Sequence, residues 1–248
     1  MNTIAKPTLK SLYLQMRFDG QNLSCGTGFV VFAKSGAPVL ITARHNFTGR
    51  HQDTDKLLSR YASIPNEVVI HHNKKGKLGE WAHRVEKVLV DDIPCWVEHP
   101  VLGANADFVA LRLQSLEDVD LHVYDPQNVG HNFLICPADP VSVIGFPFGL
   151  KTDGYPIWAT GFIASEPSID AEGMPIQLID CRSREGQSGS PVVAYHGSGS
   201  IPIAVGTFAI MNEPAERFIG VYSGRVNNES DLGKVWKASA INELIQTL

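Results

Sequence analysis

Short apolar or alternating runs recur along the chain, and Gly, Pro, Asn or Asp separate them. They occupy residues 28–33, 39–42, 67–71, 84–90, 108–113, 141–145, 177–180, 191–195, 201–207 and 218–223. Runs of this length, rich in Val and Ile and bounded by turn-formers, predict β-strands. Gly76, between Lys74 and Lys77, predicts a hairpin tip. The last segment follows another period. Val235, Ala238, Ile241, Ile245 and Leu248 recur at steps of three and four, with polar residues between them. That spacing places them on one face of a helix. Residues 114–139 are polar and weakly patterned, and predict a connection between two β units. The expected fold class is all-β with a C-terminal α-helix, divided into residues 1–120 and 121–248.

A chain of 248 residues suffices for one large all-β unit or two small barrels sharing a cleft. Hydrophobic residues make up 44% and charged residues 19%, which supports a normal core and argues against disorder. The formal net charge is -5 and no Lys/Arg run stands out. Neither nucleic acid nor an anionic membrane is therefore an expected partner. No segment approaches the roughly 18 apolar residues that a spanning helix needs. The opening residues from Met1 onward lack the apolar stretch and small-residue cleavage site of an export leader, so the expected location is cytoplasmic. The four cysteines, Cys25, Cys95, Cys136 and Cys181, are widely spaced and form no CxxC pair. They predict reduced, mostly buried thiols rather than a zinc or redox motif.

Three segments carry candidate chemistry. The first is Gly186-Gln187-Ser188-Gly189-Ser190-Pro191, followed by the apolar run Val192-Val193-Ala194. A serine hydroxyl attacks only if a base takes its proton, and the charge that develops needs donors already in place. Small residues permit a tight turn that can aim the N–H groups of Gly186 and Ser188 at one point, as an oxyanion hole. The second is Leu40-Ile41-Thr42-Ala43-Arg44-His45, where an apolar strand ends next to a histidine. A base needs that placement, anchored by a rigid strand but at its exposed end. The third is Asn105-Ala106-Asp107-Phe108, an acid at the entrance of an apolar strand. A carboxylate there needs a donor, and an imidazole N–H supplies one.

Each segment alone has an ordinary reading: a Gly/Ser-rich loop, a surface histidine, a strand-initiating Asp. The chain has nine histidines. His71 and His72 stand beside the hairpin tip and are expected to be solvated. His51, His83, His99, His122, His131 and His196 have no partner that spacing reveals. Together the three segments run in the order His, Asp, Ser, with steps of 62 and 81 residues. Two other hydrolase classes order the same trio differently.

On these residues the chain resembles the trypsin-like peptidases, in particular the bacterial branch that includes glutamyl endopeptidases and high-temperature-requirement proteases. Four segments carry the resemblance: GTGFVV, TARH, ADFVALRL and GQSGSPVV. Two weaker ones are VIGFPFG and GVYSGRV. The resemblance implies two six-stranded antiparallel β-barrels packed face to face, with the terminal helix on the second. The first barrel would carry His45 and Asp107 and the second Ser188. Ser188 would attack a peptide carbonyl, and water would hydrolyse the acyl-enzyme. The implied substrate is a polypeptide, with no metal or organic cofactor. A regulatory protein partner, if there is one, is not identified by the sequence.

Two departures from secreted members matter. Gln187 stands where digestive trypsins carry the Asp that receives a new N-terminus, so no zymogen switch is expected. Asn46 stands where secreted members often have a cysteine, which leaves Cys25 without its family partner. For the primary pocket the resemblance points to Arg182 and Ser183 at the base, with Thr207, Phe208 and Ala209 opposite and Gly220 and Tyr222 behind. Arg182 would suit an acidic substrate side chain. The alternative has Arg182 and Arg184 pointing to solvent, since glutamyl-specific relatives use a histidine where this chain has Phe208.

Other functions fit less well. A catalytically silent binding or scaffold module of the same fold is the main alternative. An esterase would want the strict G-x-S-x-G spacing, which Ser190 breaks. A metal site at His51, Asp53 and Asp55, or at His71 and His72, would lie among loop formers.

Overall fold

Residues 39–41 show how one strand serves two cores. In the computed structural model, Val39 and Ile41 join one apolar cluster and Leu40 another. Side chains alternate along a strand, so a strand buried on both faces reads as a continuous apolar run. In the second half, Val192 and Ala194 join one cluster and Val193 another in the same way. The structure describes residues 4–58, 63–131, 133–227 and 229–248. The opening three residues, part of the leader reading above, lie outside the described residues.

The first half contains α1 (Lys6–Lys10), β1 (Ser11–Phe18), β2 (Gln21–Phe32), β3 (Pro38–Thr42) and α2 (Arg44–Thr48). The hairpin β4 (Glu67–Lys74) and β5 (Lys77–Lys87) follows, then β6 (Leu89–Val90), β7 (Ile93–Pro94) and β8 (Trp96–Val97). It closes with β9 (Val109–Arg112), β10 (Val119–Asp120) and β11 (Val123–Tyr124). Nine of these strands form one sheet with the path β10-β4-β1-β2-β3-β9-β8, to which β5 adds beside β4 and β11 beside β2. All its pairings are antiparallel except that of β11 with β2. This sheet is consistent with the expected first barrel.

The second half begins with β12 (Pro140–Gly145), a 3-10 turn (Pro147–Gly149), β13 (Ile157–Ile163), β14 (Ile176–Asp180) and β15 (Pro191–His196). Then come β16 (Gly199–Ala204), β17 (Thr207–Met211), β18 (Ala215–Arg225), β19 (Leu232–Lys237) and α3 (Ala238–Ile245). Here the expected barrel is closed: β12-β13-β14-β19-β18-β15 returns to β12. One cluster, with Leu14, Leu40 and Val109, fills the first sheet. Another, with Val143, Ile179 and Val235, fills the barrel. A third draws on both halves and the terminal helix, through Phe29, Phe108, Ile144, Phe218, Trp236 and Ile241. Burying this shared face holds the halves together across a cleft.

Several expectations need correction. The terminal helix starts at Ala238, because the chain stays extended through Lys237 (φ -62, ψ 151). Val235 belongs to β19 and packs in the barrel core, whereas Ala238, Ile241 and Ile245 pack between the halves. The single strand expected over 201–207 is a hairpin, since Gly206 turns the chain with φ +72. Within 114–139, β10 and β11 pair with the first sheet, so this connection is partly ordered. His72 is buried and His71 half-buried, not solvated; the His71 ring is covered by those of Tyr13 and His83. The four thiols are free, but only Cys181 is buried; Cys25 is half-buried, and Cys95 and Cys136 are exposed. No helix among the described residues is long and apolar enough to cross a membrane.

Candidate active site

The histidine stands on a single helical turn. β3 ends at Thr42, Ala43 remains extended, and α2 lasts until Gly49 closes it in the left-handed region (φ 63), donating to the His45 carbonyl. β9 lies antiparallel to β3, with Thr42 opposite Val109. That register brings Asp107, just before β9, beside α2 although 62 residues separate it from His45. The His45 Nδ1–H donates to Asp107 Oδ2 at 2.8 Å, and the His45 backbone N–H donates to Oδ1 at 3.1 Å. One carboxylate therefore holds both the ring and the backbone. With Nδ1 donating, the lone pair of the neutral ring sits on Nε2. Burial pushes the imidazole toward its neutral form, but the Asp107 charge and hydrogen bond outweigh this and raise its pKa.

The serine turn comes from the second half. Gln187 closes it reciprocally. Its N–H donates to the Arg184 carbonyl at 3.2 Å, and its side-chain Oε1 accepts from the Arg184 N–H at 2.8 Å. Gly186 and Gly189 take φ +89 and +86. A Cβ at Gly189 would lie 2.1 Å from the Thr27 carbonyl oxygen, and one at Gly186 would lie 2.3 Å from that of Phe146. Only glycine meets both demands. The Glu185 carbonyl accepts from the Phe148 N–H at 2.6 Å. Carbonyl and N–H oppose one another across a trans peptide, so the Gly186 N–H points away from Phe148. Among the described residues, neither the Gly186 nor the Ser188 N–H has a protein acceptor.

A cavity of about 760 Å³ opens between the halves, and His45, Asp107, Gly186 and Ser188 all line it. Residues 26–199, which contain all four, match the trypsin-like peptidase domain. The chain belongs to the trypsin-like peptidase family.

Solved structures share the fold at low identity. A thermostable serine protease, AL20, from an extremophilic microorganism superposes with a TM-score of 0.54 at 11% identity, over 98% of both chains. The active form of Rv3671c protease from M. tuberculosis gives 0.51 at 15%, over 96% of this chain and 80% of that one. A serine endoprotease from Yersinia pestis gives 0.53 at 12%; 97% of this chain is covered, but only 62% of that protein. The comparison with curated proteins returned no match.

The expected pocket residues divide. Ser183 and Tyr222 are buried, line the cavity and share a short hydrogen bond between their hydroxyls. Burial pushes the Tyr222 hydroxyl up to about 12, and Ser183 offsets part of this. Arg182 is outside the lining; its side chain is 86% exposed, 3.9 Å from Asp231. Arg184 does line the cavity, also 3.9 Å from Asp231. Thr207, Phe208 and Ala209 are absent from the lining as well. They sit on β17, which among the described residues pairs only with β16 in a separate two-stranded sheet, and Phe208 is 65% exposed. Gly220 lies further back on β18, paired with Val192 and Lys237. The wall is formed instead by Tyr222, Ser223, Gly224 and Arg225 at the end of β18. The resemblance implied Tyr222 of the segment GVYSGRV for this pocket, but not Ser223, Gly224 or Arg225. Among the described residues no metal-ligating cluster of three groups occurs.

Proposed function

We propose that the chain is a serine endopeptidase with Ser188 as nucleophile. His45 Nε2 takes the hydroxyl proton as Ser188 Oγ bonds to the substrate carbonyl carbon. Asp107 keeps the proton on Nδ1 and stabilises the imidazolium that forms. The unpartnered N–H groups of Gly186 and Ser188 receive the oxyanion. Collapse breaks the C–N bond, and His45 returns its proton to the leaving amine. A water then attacks the acyl ester, giving its proton to His45, and the freed Ser188 recovers it. The substrate is a polypeptide, and the chemistry calls on no cofactor, nucleic acid or membrane. The two halves act as one unit, because base and nucleophile come from different halves. The proposed location is the cytoplasm, on the strength of the free thiols.

One observation carries this reading. An Asp107–His45 pair at 2.8 Å and a serine turn with two unpartnered N–H donors line the same cavity. Incubation with a fluorophosphonate probe, followed by peptide mass mapping, tests it. Label on Ser188, lost in His45→Ala, is expected. A folded, unlabelled wild-type protein would instead identify a silent binding module.

A further inference from the structure

The peptidase reading sets a geometric demand. The base belongs to the first half and the nucleophile to the second, and a misplacement of about 1 Å can cost 10²-fold in rate. Backbone packing across a cleft is a loose way to meet that demand. The structure contains a tighter one, next to the catalytic pair but separate from it.

Asn46 follows His45 on α2 and is buried. Its Nδ2 donates twice, to Thr42 Oγ1 at 2.9 Å and to the Ser188 carbonyl at 3.0 Å. Thr42, fully buried at the end of β3, donates its own hydroxyl proton to the Thr27 carbonyl at 2.7 Å. A hydroxyl has one proton, so Thr42 Oγ1 meets Asn46 only as an acceptor, and this fixes which end of the carboxamide faces it. Thr27 completes the set. Its N–H donates to the Ser188 carbonyl at 3.0 Å, and its hydroxyl donates to the Gly186 carbonyl at 2.8 Å. The Gly186 and Ser188 carbonyls are thus held by side chains or backbone of the first half. On the other side of the same peptide, the Gly189 N–H donates to the Tyr222 carbonyl at 2.8 Å. The Ser188–Gly189 peptide plane is pinned to one half through its oxygen and to the other through its nitrogen.

The chain also makes room for Asn46. A Cβ at Gly26 would lie 2.6 Å from Asn46 Nδ2. Gly26 has no positive φ, so space and not backbone conformation calls for glycine there.

We infer that Asn46, oriented by Thr42, is a positioning residue that sets the nucleophile of one half against the base of the other. It touches neither the substrate nor a reacting atom. It acts by fixing the Ser188 carbonyl, and with it the direction from which the Ser188 side chain projects. The inference rests on the peptidase reading.

The test measures kcat, KM and the rate of fluorophosphonate labelling in the full chain, alongside Tm. Asn46→Asp keeps the size but loses both donated protons, and kcat is expected to fall about 10²-fold while KM stays within roughly twofold. Thr42→Val removes the acceptor that orients the carboxamide, and kcat is expected to fall about tenfold; Thr42→Ser keeps the hydroxyl and is expected to stay within roughly twofold of wild type. In Thr42→Val and Thr42→Ser, which add no charge, the pH at which activity rises does not move, because the His45–Asp107 pair is untouched. Unchanged kcat and labelling in Asn46→Asp, with Tm alone lowered, would overturn the inference. So would a Thr42→Ser enzyme as slow as Thr42→Val, and this pair decides if Asn46→Asp does not fold. A wild-type chain that the probe never labels overturns the peptidase reading, and the inference falls with it.

Discussion

Two histidine-bearing regions of the first half meet opposite electrostatics. At α2, His45 is partly buried, yet the Asp107 carboxylate outweighs that burial and its pKa rises. On the β4–β5 hairpin, His71 packs against His83 with ring centroids 4.1 Å apart and planes tilted by 49°, and lies perpendicular to Tyr13 at 4.9 Å. Burial pushes His71 down to about 3, and His83, Lys151, Arg17 and His72 push the same way. Burial and Arg84 take His72 down to about 4. His83 is also lowered, by burial first and then by Lys151, Arg17 and Arg84. The difference teaches that burial beside cations makes a histidine a neutral packing residue. A carboxylate in hydrogen-bond reach turns it into a base that can hold a proton in mid-reaction.

The comparison can be broken most forcefully at the α2 site. His45→Ala and Ser188→Ala are each expected to lower kcat on the order of 10⁴–10⁶-fold with the fold intact, read by turnover and circular dichroism. His71→Ala, by contrast, should leave the same chemistry in place.

Asp107→Asn sharpens the contrast further, with an expected loss of roughly 10⁴ in kcat. It also carries a pH signature. His45 acts as a base only when neutral, and Asp107 raises its pKa, so wild-type activity is lost as pH falls through a value above the ordinary 6.5 or so. Removing the carboxylate moves that limb of the kcat/KM profile to lower pH. A limb that stays in place would show that Asp107 does not govern His45.

The hairpin makes the reverse prediction, in stability. The folded-state pKa values of His71 and His72 are depressed, so the unfolded chain takes up protons first as pH falls. Their stabilisation is present above about pH 6.5 and declines toward about pH 4 and 3. For buried His72 the slope is about 1.4 kcal/mol per pH unit. Tm measured between pH 7 and 4 should drop in wild type and drop less steeply in His72→Leu. Equal slopes would mean that His72 is not held neutral by the fold.

The smallest effect is expected at Arg182. Its side chain projects into solvent outside the cavity, so Arg182→Ala should change kcat/KM by less than roughly twofold, on substrates cut after acidic and apolar residues alike. A selective loss on acidic substrates would return this residue to the pocket.

Legibility in the sequence followed the range of the interaction. The serine turn was readable because its requirement is local: Gly186 and Gly189 flank Ser188 and allow the positive φ values that the turn takes. His45 was readable from the strand that ends before it. Asp107 was readable only as an acid at a strand entrance; the β3–β9 register supplied its partner. Of the pocket residues that the resemblance implied, Tyr222 lines the cavity, whereas Thr207, Phe208 and Ala209 belong to an exposed hairpin over 199–211 that stands before β18. β1 carries a legible alternation, Leu12, Leu14 and Met16 against Tyr13, Gln15 and Arg17, and is absent from the strands expected above only because they begin at residue 28. Nothing in Thr27, Thr42 or Asn46 announces a shared network, since each looks like an ordinary polar residue at a strand or helix end.

By itself the chain determined its strands, its terminal helix and the backbone conformation of the serine turn. These depend on side-chain alternation and on torsion angles of adjacent residues. Only the tertiary structure decided which histidine meets a carboxylate, which residues wall the cavity and what holds Ser188 to the opposite half. Charges and hydrogen bonds act through space over a few ångströms, and pairing register sets which distant residues come that close.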